Sequence, residues 1–169
     1  MPGPHFRESD LAAQAKLKPV DFQTEALTPK ERGAKKIQAL YYAMINLIDD
    51  QLARIIQRLD ETGQRENTII IFTSDHGESL GDHGLLLKGC RFYDGLVRVP
   101  LIFNCPDSIE ANLKSEALVE LLDMSATILD FAGIKLPEHF RGSSLRPIVC
   151  GDAPADYHRD SIRSEYFDA

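Results

Sequence analysis

The stretch of sequence from residue 68 to residue 77, TIIIFTSDHG, decides the fold of this chain. Its first half, Thr68 to Phe72, is a run of β-branched and aromatic residues that is typical of a buried strand. The run ends in a polar cluster that contains Asp75 and His76. Ligand sites in parallel α/β sheets form just beyond the carboxyl ends of the strands. We therefore expect a strand over 68–73 with a ligand site directly after it.

The residues after this strand suit a metal bound beside an anionic group. Asp75 and His76 are both competent ligands of divalent metals, and Gly77 allows a tight backbone turn after them. Lys88 follows twelve residues after His76, behind three leucines that are expected to pack its stem and direct its ammonium group. The pattern Asp-His-Gly alone also fits a simpler interpretation, in which Asp75 caps a turn and His76 makes an ordinary hydrogen bond.

The rest of the chain alternates strand and helix signals, which indicates the α/β class. Thr28 begins a helix, Pro29 and Glu31 fit its first turn, and Gly63 ends it, so the prediction is one long helix over about 29–62. Further expected elements are a strand over 97–103 with an irregularity at Pro100, a short strand at 117–119, a helix over 121–131, one turn near 145–149, and a last strand over 161–167. Residues 1–27 are expected to form an extended lead-in to the α/β domain over residues 28–169.

The composition disfavours two kinds of partner, nucleic acids and membranes. The formal net charge of −7 disfavours nucleic acid, because phosphate binding requires a basic face. No apolar run approaches the roughly 20 residues of a membrane span, so we expect a soluble protein, and nothing in the sequence indicates its compartment. The three cysteines are widely spaced and odd in number, which predicts free thiols rather than a disulfide framework.

Several segments together resemble the sulfatase family of the alkaline-phosphatase superfamily. The segments are Asp75-His76-Gly77-Glu78, Gly81-Asp82-His83-Gly84, Lys88, Arg98 to Phe103, Leu122 to Gly133, and Phe140 to Leu145. Phosphonate and phosphate ester hydrolases of the same superfamily carry a similar stretch. The resemblance implies a three-layer α/β/α fold that is alkaline-phosphatase-like, mainly parallel and here incomplete, with strand 68–73 central and the long helix packed on one of its faces.

The resemblance also implies roles for individual residues. Asp75 and His76 would bind a divalent metal, with Ca²⁺ as the first expectation and Mn²⁺, Mg²⁺ or Zn²⁺ as alternatives. Lys88 would hold a sulfate oxygen of a small anionic ester substrate. His83 is a weaker catalytic candidate, since the same residue in Gly-Asp-His-Gly also suits a role in holding the loop.

The family's nucleophile segment, Cys/Ser-x-Pro-x-Arg, does not occur among these 169 residues. We therefore expect residues 28–169 to be a partial sulfatase-type catalytic domain, namely its carboxyl-terminal part. It would be inactive alone and completed by an amino-terminal part or by another copy of the chain. The alternatives are a phosphonate or phosphate ester hydrolase of the same superfamily and a non-catalytic remnant that binds metal or anions.

Overall fold

The computed structural model describes residues 31–89 and 91–165. The predicted lead-in over 1–27, the helix start at Thr28 and the last residues of the strand predicted over 161–167 lie outside this range. The elements in chain order are α1 (Glu31–Glu61), β1 (Ile70–Thr73), α2 (Asp94–Val97), β2 (Leu101–Asn104), α3 (Leu121–Phe131) and α4 (Arg146–Val149). Two 3₁₀ turns lie at Arg65–Asn67 and Asp82–Gly84.

The described residues form two compact units. One comprises residues 31–62 and 73–101, apart from residue 90, and contains α1 and the loop that follows β1. The other comprises residues 63–72 and 102–165 and contains most of the two-stranded sheet together with α3 and α4. No helix among the described residues is long and apolar enough to cross a membrane.

Helix α1 confirms the predicted long helix, and Gly63 ends it with a left-handed φ of 64°. A side chain at that φ would be strained, which is why glycine suits the position. The apolar stripe of α1 is largely exposed, with Leu40 at 58% and Ile48 at 56% of full exposure. Helix α1 and most of β1 belong to different units, so packing of this helix on the strand stays a prediction.

The two strands are shorter than predicted. Strand β1 begins at Ile70 rather than at residue 68, and β2 covers Leu101–Asn104 rather than 97–103. The region before β2 turns into the single-turn helix α2, where the N–H groups of Leu96 and Val97 both donate to the carbonyl of Tyr93. Pro100 lacks an N–H group and comes directly before the strand, so the ladder begins only after it.

The prediction that β1 is a buried strand is wrong for the described part of the chain. Phe72 is 36% exposed and the other three residues of β1 are half-buried. In the described residues β1 pairs with a single strand, β2. Most of the surface of this two-stranded sheet is therefore uncovered. The architecture is therefore a partial α/β fold.

The second unit has its core between α3 and α4. Helix α3 has the predicted bounds, carries a capping box formed by Glu120 and Asp123, and is followed by Gly133 at φ 68°. Ala126, Leu145 and Ile148 are buried between these helices and the loop that joins them. Residues 117–119 and 161–165 form no strand, since no neighbouring strand in the described residues offers them a ladder.

Candidate metal and anion site

The loop after β1 presents Asp75 and His76 side by side. The Asp75 carboxylate accepts a hydrogen bond from the backbone N–H of His76 through Oδ1, at 2.9 Å. The Ser74 hydroxyl donates to the carbonyl of His76 at 2.7 Å. These local bonds give the loop its shape while the Asp75 side chain remains 85% exposed. A carboxylate in this state is available to an external cation.

Gly77 is required for a close approach of two backbones, whereas the sequence indicated only that it allows a tight turn after Asp75 and His76. Its N–H donates to the carbonyl of Leu96 at 2.8 Å, and the next N–H, of Glu78, donates to the carbonyl of Gly95 at 3.2 Å. A Cβ at Gly77 would lie 1.9 Å from the Gly95 carbonyl oxygen. The segment that contains α2 therefore holds the loop through backbone contacts that only glycine permits.

The hydrogen bonds of His76 define its tautomer. Nδ1 lies 2.9 Å from the carbonyl oxygen of Gly77, which only accepts, so Nδ1 carries the proton and donates. The lone pair is then on Nε2, 3.7 Å from Asp75 Oδ2 and 2.8 Å from Lys88 Nζ. A ring nitrogen held by a backbone carbonyl while the other presents its lone pair is the usual arrangement of a metal-ligating histidine.

Lys88 reaches this position because the loop before it is anchored. The carbonyl of Leu87 accepts hydrogen bonds from the Ser79 N–H at 3.3 Å and from the Ser79 hydroxyl at 2.6 Å. Leu85 and Leu86 are buried, whereas Leu87, at φ 66°, is 51% exposed. Only two of the three leucines therefore pack, and Lys88 itself is exposed.

His83 lies in the 3₁₀ turn Asp82–Gly84, where its own φ is 53°. Its ring stacks on Tyr93 with 4.1 Å between the ring centroids and an interplanar angle of 22°. This stacking gives His83 a structural role in the loop, and a catalytic role for it stays a prediction.

Asp75 and His76 offer ligand atoms of the kinds that divalent cations bind, but too few of them to complete a coordination shell. One carboxylate oxygen and one imidazole nitrogen are suitable ligands, and their 3.7 Å separation lets one cation contact both. No group of three or more metal-ligating side chains occurs in residues 31–89 and 91–165. Ca²⁺ takes six to eight oxygen ligands and Mg²⁺ about six, so these residues fit part of a coordination shell.

A second polar cluster lies in the other unit, and sequence reasoning did not single it out. Asp123 is fully buried and accepts hydrogen bonds from the N–H groups of Glu120 and Ser143, each at 2.8 Å. Arg159 pairs with both Asp123 and Glu120, and His158 Nε2 lies 3.5 Å from Asp123 Oδ2. The sequence signal was the capping position of Asp123, three residues after Glu120.

Comparison with known proteins indicates the family to which the chain belongs. The family described as Sulfatase matches residues 3–134. The chain is 38% identical over 129 residues to an N-acetylglucosamine-6-O-sulfatase of Bacteroides thetaiotaomicron, covering 75% of this chain and 23% of that protein. It is 37% identical over 139 residues to an arylsulfatase of Clostridium perfringens, covering 80% of this chain and 28% of that protein.

Among solved structures, a phosphonate monoester hydrolase from Silicibacter pomeroyi matches with a TM-score of 0.76 and 30% identity, over 94% of this chain and 33% of that chain. The chain thus spans about a quarter to a third of the length of the proteins it matches. The partial α/β fold is accordingly alkaline-phosphatase-like. Because the family match covers most of the sequence, the chain belongs to the sulfatase family of the alkaline-phosphatase superfamily.

Proposed function

We propose that this chain supplies the metal- and sulfate-facing loop of a sulfuric ester hydrolase. The observation that carries the proposal is the convergence of Asp75, His76 and Lys88 after β1, with the His76 lone pair presented on Nε2. The family match to residues 3–134 supports it. A carboxylate, an imidazole and an ammonium group together suit a metal bound next to an oxyanion.

In this proposal Asp75 Oδ2 and His76 Nε2 hold a divalent cation, with Gly77 fixing the imidazole through its carbonyl. The cation, when bound, would polarise the ester and activate the nucleophile. The Lys88 ammonium would neutralise charge on the transferring group as the ester bond breaks. We propose Ca²⁺ first, since the family resemblance favours it, and Mn²⁺, Mg²⁺ or Zn²⁺ as alternatives because one ligand is an imidazole.

The nucleophile is the missing part of this machinery. No Cys/Ser-x-Pro-x-Arg segment occurs in the sequence, and Cys105, one of its three cysteines, is buried. We propose that the nucleophile and the remaining metal ligands belong to a part of the sulfatase domain outside these 169 residues. The chain alone should then show no turnover of an aryl sulfate, because positioning without a nucleophile leaves little rate. Turnover that depends on Lys88 would contradict this.

A second candidate is a phosphonate or phosphate ester hydrolase of the same superfamily. The fold match to a phosphonate monoester hydrolase, with a TM-score of 0.76, favours it. The same three side chains would serve a phosphonate ester, since its oxyanion makes similar demands on the cation and on Lys88. Comparing the binding of sulfate and methylphosphonate to the metal-loaded chain would discriminate between the two candidates.

Calorimetry of the purified chain with Ca²⁺, Mg²⁺, Mn²⁺ and Zn²⁺ tests the metal site. We expect weak binding, because the described residues contribute only two ligands, and loss of that binding in Asp75→Ala. Asp50→Ala is the matched control, since Asp50 is an exposed aspartate on α1 and its removal changes the net charge equally. Equal loss in both variants, or no loss in Asp75→Ala, would contradict the site, and sub-micromolar Ca²⁺ binding would show that further ligands exist.

A further inference from the structure

Lys88 lies where a metal ion bound to His76 would have to lie. Its Nζ is 2.8 Å from His76 Nε2, on the nitrogen that carries the lone pair. The Asp75 carboxylate adds negative charge 3.7 Å from the same nitrogen. The ammonium group therefore occupies the lone pair that a divalent cation would use, beside the carboxylate that would be its second ligand.

The two occupants exclude each other at His76. An imidazole nitrogen has a single lone pair, and Nδ1 is already engaged as a donor to the Gly77 carbonyl. Nε2 therefore either accepts a hydrogen bond from Lys88 or binds a metal. Lys88 has a flexible stem on an exposed segment, so displacement of its ammonium group requires no rearrangement of the buried Leu85 and Leu86.

We propose that the Lys88 ammonium is a built-in placeholder for the cation, and that metal binding releases it toward the anionic group of the substrate. This inference rests on the proposed function and adds an order of events to it. A cation that displaces Lys88 from Nε2 makes its charge available to the substrate anion. Metal and anion should then strengthen each other's binding by the same factor.

The test uses the whole chain labelled with ¹⁵N in its histidine rings, and Zn²⁺ as the probe ion. In the absence of metal, Lys88→Met should shift the Nε2 resonance of His76, because the hydrogen bond is lost, and leave Nδ1 protonated. The same substitution should tighten Zn²⁺ binding, followed at His76 Nε2, by about tenfold, the size expected from removing one exposed charge-assisted hydrogen bond.

Lys36→Met is the matched control, since Lys36 is exposed on α1 and carries the same charge, and its Zn²⁺ affinity should stay within about twofold of the wild type. Lys88→Leu provides a second variant that should behave like Lys88→Met, because neither side chain can donate a hydrogen bond to Nε2. The placeholder is overturned if both Lys88 variants leave the Nε2 resonance unmoved, or if both leave the Zn²⁺ affinity unchanged. In either case Zn²⁺ binding at His76 would still support the proposed site. If Zn²⁺ never reaches His76 in any variant, both the proposed site and the placeholder fail.

Discussion

The two units each contain an aspartate, a histidine and a basic residue in close contact, yet the two groups differ in burial. In the loop after β1 the group is Asp75, His76 and Lys88, with the aspartate 85% and the histidine 42% exposed. At the start of α3 the group is Asp123, His158 and Arg159, with exposures of 0%, 9% and 19%. The same residue types therefore serve different purposes in the two places.

Burial explains the difference. A buried carboxylate is tolerated only when it is paired and hydrogen-bonded, and Asp123 has two backbone donors besides Arg159. That saturation leaves Asp123 no capacity for a ligand and assigns it to holding the loop after α3. Asp75 faces water and uses one oxygen for a local bond to His76, so the other oxygen remains available.

The largest effect should come from removing the buried carboxylate. We expect Asp123→Ala to lower the free energy of unfolding by about 3 kcal/mol, because Arg159 loses a buried partner and two backbone N–H groups lose their acceptor. Urea denaturation followed by circular dichroism measures this. Asp123→Asn, which keeps the shape and one acceptor oxygen, should lose less. A change below 1 kcal/mol in Asp123→Ala would remove the contrast between the two groups.

Gly77→Ala should have the next largest effect on stability, and it should act on the exposed group formed by Asp75, His76 and Lys88. The new Cβ would lie 1.9 Å from the Gly95 carbonyl oxygen, so the loop or α2 must shift, at a cost of about 1–3 kcal/mol. The shift should also weaken Zn²⁺ binding at His76. Gly63→Ala is the control, because it strains a left-handed glycine with no neighbour within 4 Å of the new Cβ and should leave Zn²⁺ binding unchanged. Equal zinc affinity in both variants would show that the loop is not held by this contact.

A smaller effect should appear as a pH dependence in the second unit. The hydrogen bond from Ser144 lowers the pKa of Asp130, burial opposes this shift, and Arg146 adds to the lowering. A carboxyl whose pKa is lower in the folded state stabilises the fold above its ordinary pKa of 3.8, and this contribution is lost as the pH falls through the folded pKa.

Ser144→Ala should therefore cost less than about 1 kcal/mol at neutral pH, since Asp130 is partly exposed and solvent screens the interaction. The part of the loss due to the lowered pKa should disappear in acid, which unfolding measurements between pH 7 and pH 2 would detect. Ser143→Ala is the control, because Ser143 is exposed and the bond it makes to Asp123 uses its backbone N–H. A loss equally large at both ends of the pH range would contradict the role of Ser144.

The smallest expected change in stability completes the comparison. Asp75→Ala should alter the free energy of unfolding by no more than about 0.5 kcal/mol, because the side chain is exposed and accepts only a local hydrogen bond, from the N–H of His76. Urea denaturation of this variant beside Asp123→Ala measures the contrast directly. A loss comparable to that of Asp123→Ala would mean that the loop after β1 is structural.

Sequence patterns predicted the elements with strong local signals. Helices α1 and α3 have long apolar periodicity and a glycine shortly after the end, and both predictions are confirmed. Strands β1 and β2 were located, but β2 begins later than predicted, since Val97 joins α2 and Pro100 delays the ladder. The strands predicted at 117–119 and 161–167 are not formed in the described residues. Hydrophobic runs show that a strand is present but not where its ladder begins, because the ladder depends on a neighbouring strand.

The sequence by itself determined the α/β class, the resemblance to sulfatases and the residue types at the site, since these follow from periodicity and from adjacent side chains. Tertiary structure decided what these residues touch. Lys88 Nζ lies at the lone pair of His76 Nε2, and the Gly95 carbonyl oxygen leaves room only for glycine at position 77. Asp123 is buried and pairs with Arg159. The number of residues between two positions in the sequence does not give the distance between them in the folded protein. Contacts between residues 12 or 36 positions apart therefore became visible only in the tertiary structure.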